Sequence, residues 1–250
     1  MLVVVSPAKK LDMDPVAGVQ PTQPMFPERT RELVTEAAKL TSGELEKLMK
    51  ISPNLAKLNQ QRFSDFGSQD RKPAAFAFAG DTFQGLEVAT LDADALRWAQ
   101  EHLRILSGLY GVLRPLDEIE PYRLEMGSRL KTERGKNLYE YWGSELALEL
   151  GTQAKITQSK AVVNCASQEY FQSVEIQALS VPVISPVFME STEKGPKIIS
   201  FYAKRARGAM ARFVVSNRIA TPAALCDFDA GGYWYEPDLS SENKPVFLRG

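Results

Sequence analysis

The chain has 250 residues, 44% of them hydrophobic, which is enough to bury a sizeable core in one large domain or two small ones. Its formal net charge of −1 excludes a protein whose overall positive field attracts nucleic acid, so any such surface must come from local clustering. The two cysteines and single histidine exclude a disulfide framework and a multi-histidine metal site. We therefore predict no metal and no cofactor.

The location of the protein is predicted from its amino-terminal run and its cysteines. The run MLVVVSPAKK places a short apolar segment before its lysines, the reverse of a signal peptide. No apolar run approaches the ~18 residues that indicate a membrane span. Together with the sparse cysteines, this predicts a cytoplasmic protein without a membrane partner. The sequence does not predict an oligomeric state.

The first half of the chain is predicted to hold one strand, a proline-rich connection and mainly helices. An apolar, β-branched run over 1–5 predicts a buried strand that ends at Ser6-Pro7. Four prolines in 14–27 predict an irregular connection. The other predicted elements are helices over about 28–40, from Thr41, from Ser52 to about 63, along an apolar stripe from 96 to 106 and over 136–150, and a strand over 73–80.

The second half is richer in predicted strands. They are an apolar strand over 161–164, a hairpin of 181–189 with 197–202, and a hairpin at the carboxyl terminus. A helix over 206–219 and a short one after Thr221-Pro222 lie between them. Because no repeat and no clear linker appears, we predict one globular domain over 1–250 of the α+β (mixed α/β) class.

The segment RILSGLYGVLRPLD, residues 104–117, carries two glycines three positions apart. Its pattern of Leu106, Gly108 and Gly111 is close to the hairpin of a helix-hairpin-helix motif, whose backbone N–H groups hold a phosphate. The flanking Arg104 and Arg114 add positive charge. The alternative is a tight connection between two packed elements, and the proline that follows Arg114 favours that alternative.

A second basic feature is the segment from 199 to 218. It contains five basic residues and no acidic one, so its positive charge has no local partner. A helix with this composition is suited to phosphate or nucleic-acid contact. The alternative is an ordinary solvated helix face.

Polar residues follow two predicted strands and form a candidate polar site. These residues are Lys9, Asn164, Ser167, Glu169 and Tyr170, with Lys9 or Glu169 as the proton-transfer group. The alternatives are structural: Ser167 begins a helix, the Arg123–Glu125 region is an ion-pair network, and Cys165 is a buried thiol. His102 is expected on the edge of a helix stripe rather than in a catalytic centre.

Five separated motifs resemble the bacterial YaaA family, in order and over essentially the whole chain. The motifs are SPAK (6–9), LSGLYGVLRPLD (106–117), PYRLEMG (121–127), NCASQEY (164–170) and ISFYAKRARGAMARF (199–213). The resemblance implies a family-specific mixed α/β fold with a positively charged cleft and a helix-hairpin-helix element. It also implies a role in peroxide stress, an association with low free intracellular iron, and binding to duplex DNA.

The resemblance maps the helix-hairpin-helix element onto about 92–125, and we infer the cleft from the basic residues. DNA contact is predicted to be structure-specific rather than sequence-specific, because phosphate contacts carry no base information. The predicted DNA-binding residues are Lys9, Lys10, Arg104, Ser107, Gly108, Tyr110, Gly111, Arg114, Arg123, Lys204, Arg205, Arg207 and Arg212.

Two other functions stay open at this point. One is an enzyme that acts on a nucleotide or damaged nucleic acid through Lys9, Asn164, Ser167 and Glu169. The other is a sensor of a phosphate metabolite. The enzyme hypothesis requires the four polar residues and the basic helix to converge in one cleft.

Overall fold

The computed structural model describes residues 1–250 and contains ten strands, ten α-helices and five short 3-10 helices. The strands are β1 (Leu2–Val5), β2 (Lys72–Pro73), β3 (Leu103–Ser107), β4 (Gly111–Leu113), β5 (Glu118–Ile119), β6 (Val162–Cys165), β7 (Val183–Ile184), β8 (Val187–Glu190), β9 (Tyr233–Tyr235) and β10 (Val246–Arg249). The helices are α1 (Pro27–Ala38), α2 (Ser42–Met49), α3 (Pro53–Ser64), α4 (Ala74–Ala77), α5 (Asp81–Leu86), α6 (Ala93–His102), α7 (Leu138–Trp142), α8 (Glu145–Ile156), α9 (Gln168–Phe171) and α10 (Ser200–Ser216).

A five-stranded sheet in the order β4-β3-β1-β6-β7 forms the centre of the molecule. Strands β3, β1, β6 and β7 run parallel, and β4 pairs antiparallel with β3. The central strand β1 has the sequence LVVV and is buried along its whole length, as expected of a parallel strand covered on both faces. The predicted strands at 1–5 and 161–164 are therefore confirmed.

Two smaller sheets complete the strand pairing. Strand β10 lies between β8, to which it is parallel, and β9, to which it is antiparallel. Strands β2 and β5 form a short antiparallel pair. The predicted hairpin at the carboxyl terminus is confirmed as β9 and β10.

One hydrophobic cluster of 60 buried residues draws on nearly every element. The fold is accordingly a single α/β domain with mixed sheets, as predicted. No helix combines the length and the apolar character needed to cross a bilayer.

Helix starts are the best-predicted local features. The side chain of Thr41 accepts from the backbone N–H of Glu44, and the Glu44 carboxylate accepts from the Thr41 N–H, so the capping box at α2 is complete. Ser52 caps α3 with Pro53 at its first position. Both arrangements follow from local sequence, since all the partners lie within three residues.

Three predicted elements are wrong in type or extent. The predicted strand at 73–80 is largely the single turn α4, whose alanines are buried. The predicted strand at 197–202 has one bridge, at Lys197, and then gives way to α10, which begins at Ser200. The helix over 136–150 is split into α7 and α8 at Gly143, whose φ is +48°. In each case long-range packing or a positive φ overrides the local pattern.

The predicted helix-hairpin-helix element at 92–125 is also wrong. Helix α6 ends at His102, and the apolar stripe continues as strand β3, which turns through 108–110 into β4. Gly111 has a φ of +74°, and a Cβ there would lie 2.8 Å from the Trp142 ring. A Cβ on Gly108 would lie 2.3 Å from the Leu124 carbonyl oxygen. The two glycines therefore serve close packing of a buried β-hairpin.

A helical hairpin occurs elsewhere in the chain, at α2 and α3. These helices pack against each other and are joined by three residues, the first of which is Lys50 with a φ of +51°. Lys50 and Lys57 are exposed on this hairpin. It offers a second surface against which phosphate binding can be compared.

The short helix α5 crosses the long helix α10 at very close range. A Cβ on Gly208 would lie 1.8 Å from the Thr82 carbonyl oxygen, and one on Gly85 would lie 2.0 Å from the Arg205 carbonyl oxygen. Both obstacles are backbone atoms, which cannot move aside as a side chain can. Only glycine at both positions permits this crossing.

We expect Gly208→Ala to destabilise the fold by more than about 2 kcal/mol, because the added methyl group forces the two helices apart. Urea unfolding followed by circular dichroism measures this change. The control is Gly43→Ala in α2, where a Cβ meets nothing within 4 Å. That substitution should change stability by at most about 1 kcal/mol and in the stabilising direction. Equal unfolding midpoints for Gly208→Ala and the wild type would contradict the close crossing.

Candidate functional site

The candidate site lies where the chain leaves neighbouring strands of the central sheet in opposite directions. The connection after β1 leads toward β3, and the connection after β6 leads toward β7 on the other side. Such a switch point opens a crevice at the carboxyl ends of the strands. A cavity of about 540 Å³ occupies this place, and we call it the switch-point cavity. Its lining comes from the segments after β1 and β6, from the start of α5 and from α10.

Two serines hold the segments after β1 and β6 together. The Ser167 backbone N–H donates to Ser6 Oγ at 2.8 Å, and the Ser6 hydroxyl donates to Ser167 Oγ at 3.3 Å. The Ser167 side chain also accepts a hydrogen bond from the N–H of Tyr170, so Ser167 is the N-cap of α9. The structural alternative for Ser167 therefore holds, and the residue lines the cavity at the same time.

Two glutamates are fixed beside the cavity. Glu169 lines it, and its Oε1 accepts from the Gly127 N–H at 3.1 Å. Glu125 forms ion pairs with Arg123 at 2.8 Å and with Lys9 at 3.5 Å. The second oxygen of Glu125 is buried and has no hydrogen-bond partner. The Arg123–Glu125 ion-pair network proposed from sequence is thus present and extends to the cavity through Lys9.

Arg207 is the most unusual group in the site. Its side chain is half-buried and forms no ion pair, and burial lowers its pKa. A guanidinium remains protonated at neutral pH, so α10 holds an uncompensated positive charge here. Half-burying a charge without a partner costs free energy, so such a position is a candidate for ligand binding.

The charged lining of the switch-point cavity is mainly basic. It contains four basic side chains, Lys9, Lys10, Lys204 and Arg207, against two acidic ones, Asp81 and Glu169. Of the basic groups only Lys9 has a carboxylate within 4 Å. The cavity therefore carries an excess of two positive charges, and an anionic ligand would neutralise it.

A second cavity of about 810 Å³ adjoins the first through Arg207, which lines both. Asn164 lies in this second cavity. Its side-chain oxygen accepts from the Ala166 N–H at 3.0 Å, and its amide donates to Ser185 Oγ at 3.3 Å. Asn164 and Cys165 are successive residues of a strand, so their side chains point to opposite faces.

All five residues of the predicted polar site are thus brought close to the basic helix. Lys9, Ser167, Glu169 and Tyr170 line the switch-point cavity, and Asn164 lines the adjoining one. Burial raises the pKa of Tyr170 well above its usual value, so its hydroxyl stays protonated. It can donate a hydrogen bond at neutral pH and does not act as a base.

The predicted DNA-binding residues divide into three sets. Lys9, Lys10, Lys204 and Arg207 line the switch-point cavity. Arg205 and Arg212 line a groove at the end of α5, which we call the aromatic groove. The third set lies in and after the β-hairpin.

The hairpin residues are not available for contact in this fold. The buried ones are Arg104, Ser107, Gly108, Tyr110 and Gly111, and Ser107 Oγ lies 2.6 Å from Tyr122 Oη. Arg114 forms an ion pair at 2.8 Å with the fully buried Asp117. The prediction that this segment grips a phosphate backbone is therefore corrected, because its residues are buried or, like Arg114, paired with a buried carboxylate.

Several lining residues were missed from sequence. Asp81, Thr82 and Gln84 reach the cavity because α5 crosses α10, and nothing in their local sequence indicates a ligand. The available signal was the glycine in each helix, Gly85 and Gly208, which points to a close helix crossing. Ser6, in the motif SPAK, also lines the cavity, although it is not among the predicted site residues.

The described residues contain no group of three or more His, Cys, Asp or Glu side chains arranged to hold a metal ion. The chain's single histidine lies outside the cavities. The His102 ring stacks on Trp98 at 3.8 Å, and its Nδ1 donates to the Met1 carbonyl oxygen at 3.2 Å.

The chain is similar over its whole length to known proteins. A family model described as "Peroxide stress protein YaaA" matches residues 1–239. A UPF0246 protein of Ruegeria pomeroyi is 56% identical over 253 residues, covering 100% of this chain and 98% of the relative. A UPF0246 protein of Roseobacter denitrificans is 57% identical over 255 residues, with the same coverage of both chains. One from Cereibacter sphaeroides is 54% identical over 255 residues, covering 100% of this chain and 99% of the relative.

We expect His102 to titrate far below an ordinary histidine. Burial lowers its pKa from 6.5 to about 4. As the pH falls, His102 therefore becomes protonated in the unfolded chain at a higher pH than in the folded protein. The neutral His102 contributes stability that is complete above pH 6.5 and is lost between pH 6.5 and about 4. Proton NMR of the imidazole ring measures the pKa without ambiguity, since the chain has one histidine. A midpoint at or above 6.5 in the folded protein would contradict this.

We also expect Cys165 to be inert toward peroxide and alkylating agents. Burial raises the pKa of its thiol to about 12, so on the order of one molecule in ten thousand carries the thiolate at pH 8. Iodoacetamide labelling followed by mass spectrometry should modify the half-exposed Cys226 in the folded protein and both cysteines in urea. Labelling of Cys165 as fast as Cys226 before unfolding would show that the thiol is accessible.

Proposed function

Because this chain belongs to the peroxide stress protein YaaA family, we propose that it protects DNA under peroxide stress by binding the phosphate backbone in the switch-point cavity. The observation that carries the proposal is Arg207, a half-buried guanidinium without a carboxylate partner between two cavities. A phosphate oxygen is the ligand that such a group accepts best, because the guanidinium fork matches its geometry.

The neighbouring lysines favour a polymeric anion over a single small one. Lys10 and Lys204 are exposed at the cavity and lack ion pairs, so they can neutralise further phosphates along a strand. These contacts reach the backbone and no base edge has to be read. The binding that we propose is therefore specific for the shape and charge of duplex DNA rather than for its sequence.

The protective effect follows from charge. A protein that neutralises phosphates releases the cations condensed on DNA, ferrous ions among them. Hydroxyl radicals formed from peroxide at such ions then arise farther from the DNA. The lower free iron implied by the family resemblance is a finer part of this proposal, and we assign no iron site on this chain.

A second candidate function is an enzyme that acts on a nucleotide or damaged nucleic acid. The observation that favours it is the convergence of Lys9, Ser167 and Glu169 in one cavity with the basic helix. Glu125, with one buried oxygen lacking a partner, adds a second carboxylate beside Lys9. Two carboxylates and a lysine near a phosphate are suited to proton transfer.

The test is fluorescence anisotropy with a random-sequence duplex at about 50 mM and about 200 mM salt. We expect Lys204→Gln with Arg207→Gln to weaken binding at least about tenfold and to lower the salt slope by about two, since two phosphate contacts are lost. The matched control is Arg97→Gln, which removes an exposed arginine from α6. It should leave both quantities unchanged.

Two outcomes would overturn the assignment. One is unchanged affinity in the double variant. The other is loss of binding in Lys50→Gln with Lys57→Gln, which would place the contact on the helical hairpin instead. Product analysis of the same samples separates the two candidate functions, because binding alone leaves the oligonucleotide intact whereas an enzyme converts it.

A further inference from the structure

The aromatic groove lies at the end of α5, whereas the switch-point cavity lies at its start. It has a volume of about 590 Å³ and is lined by α10, by the end of α5 and by residues near β9 and β10. Phe201 and Tyr202, in the first turn of α10, are 52% and 39% exposed at this groove. Exposed aromatic rings gathered in a concave surface indicate a ligand, whereas single apolar residues scattered over a surface are ordinary.

The rings are held in place by the protein. The Arg249 guanidinium lies 4.2 Å from the centre of the Tyr202 ring and 5.1 Å from that of Tyr233. Arg249 is itself fixed by Glu190, with Nη2 and Oε2 at 2.7 Å. The Phe201 ring meets Tyr202 edge-on, with the ring centres 5.5 Å apart. Arg249 thus supports the Tyr202 ring, and the more exposed Phe201 ring is the one available for stacking.

The charges around these rings are mainly positive. Arg205 and Arg212 line the groove, and Glu87 is its only acidic lining residue. Arg212 donates to the carbonyl oxygens of Leu86 and Glu87 at the end of α5, so part of its role is structural. Arg205 forms no ion pair within 4 Å and is exposed.

The groove and the switch-point cavity are neighbours. Gln84 lines both, and the consecutive residues Lys204 and Arg205 face the cavity and the groove respectively. A nucleotide carries an anionic phosphate and a flat aromatic base a short distance apart. Helix α10 likewise offers a basic site and an aromatic ring at neighbouring cavities.

We propose that the aromatic groove receives an unpaired base of the DNA strand whose phosphates lie in the switch-point cavity. The base stacks on Phe201, with Tyr202 edge-on to that ring, and Arg205 faces the base from the same helix. This rests on the proposed function, because it places the strand through its phosphates. It adds a preference for DNA that contains an unpaired nucleotide, since a base held in the duplex cannot reach the groove.

The experiment uses duplexes with a 2-aminopurine either in a single-nucleotide bulge or fully paired. We expect the wild-type protein to bind the bulged duplex about 5- to 10-fold more tightly than the paired one. We also expect it to quench the 2-aminopurine in the bulge beyond the level in free DNA, because stacking on an aromatic ring quenches this base.

Phe201→Leu should remove most of the preference and the quenching while affinity for the paired duplex stays within about twofold. Tyr202→Phe should retain both, because it keeps the ring that meets Phe201 edge-on. The matched control is Trp234→Leu, which removes an aromatic residue that is 45% exposed but lies outside the groove. It should behave as the wild type. Thermal unfolding of each variant confirms that the fold is intact.

Failure of the inference and failure of the proposed function give different results. Tight binding to the paired duplex with no preference and no added quenching overturns the inference and leaves the proposed function standing. The same loss in Trp234→Leu as in Phe201→Leu also overturns it. Absence of binding to either duplex overturns both.

Discussion

The close crossing of α5 and α10 is the constraint on which both sides of the candidate site depend. At Gly85 and Gly208 the helices meet backbone to backbone, so neither position accepts a side chain. This contact brings the start of α5 to the switch-point cavity and its end to the aromatic groove. Helix α10 thereby contributes Lys204 and Arg207 to the cavity and the aromatic rings Phe201 and Tyr202 to the groove. A looser crossing would separate these groups and widen both cavities.

The central sheet supplies the second half of the site. Parallel strands end at one edge, and the opposite directions of the connections after β1 and β6 leave a crevice there. The hydrogen bonds between Ser6 and Ser167 join the two segments that border this crevice. Arg207 then lies half-buried without a carboxylate to offset its charge. The fold accepts this cost at a position where an anion would remove it, which is typical of a binding site rather than of a structural arginine.

In the segment 104–117, the sequence correctly indicates that two positions require glycine, but the inference that they bind phosphate is wrong. Glycine occurs where another group approaches the backbone closely or where φ is positive. Gly108 meets the first condition, and Gly111 meets both. The obstacles are Leu124 and the Trp142 ring, which are inside the protein. A phosphate and a packed indole make the same demand on the local backbone, so the sequence cannot distinguish them. The alternative of a tight connection between packed elements was the correct one.

The sequence by itself determined the features whose partners are near in the chain or whose composition admits one answer. These include the buried strand at 1–5, the caps of α2 and α3, the mixed α/β class and the family. It also determined the basic character of α10, because no acidic residue lies between 199 and 218. The strand and the caps depend on apolar patterns or hydrogen bonds within a few residues, and the family and the charge of α10 depend on motifs and composition alone.

Only the tertiary structure decided which of these groups meet. It joined Lys9 with Ser167, Glu169 and Arg207 over more than 150 residues of sequence, and it assigned Arg205 to a different cavity from Lys204. It also buried Arg104 in a sheet and tied Arg114 to Asp117. The physical reason is that a site is formed by strand order and helix crossing, which are set by the packing of the whole core. Local propensity carries no information about either.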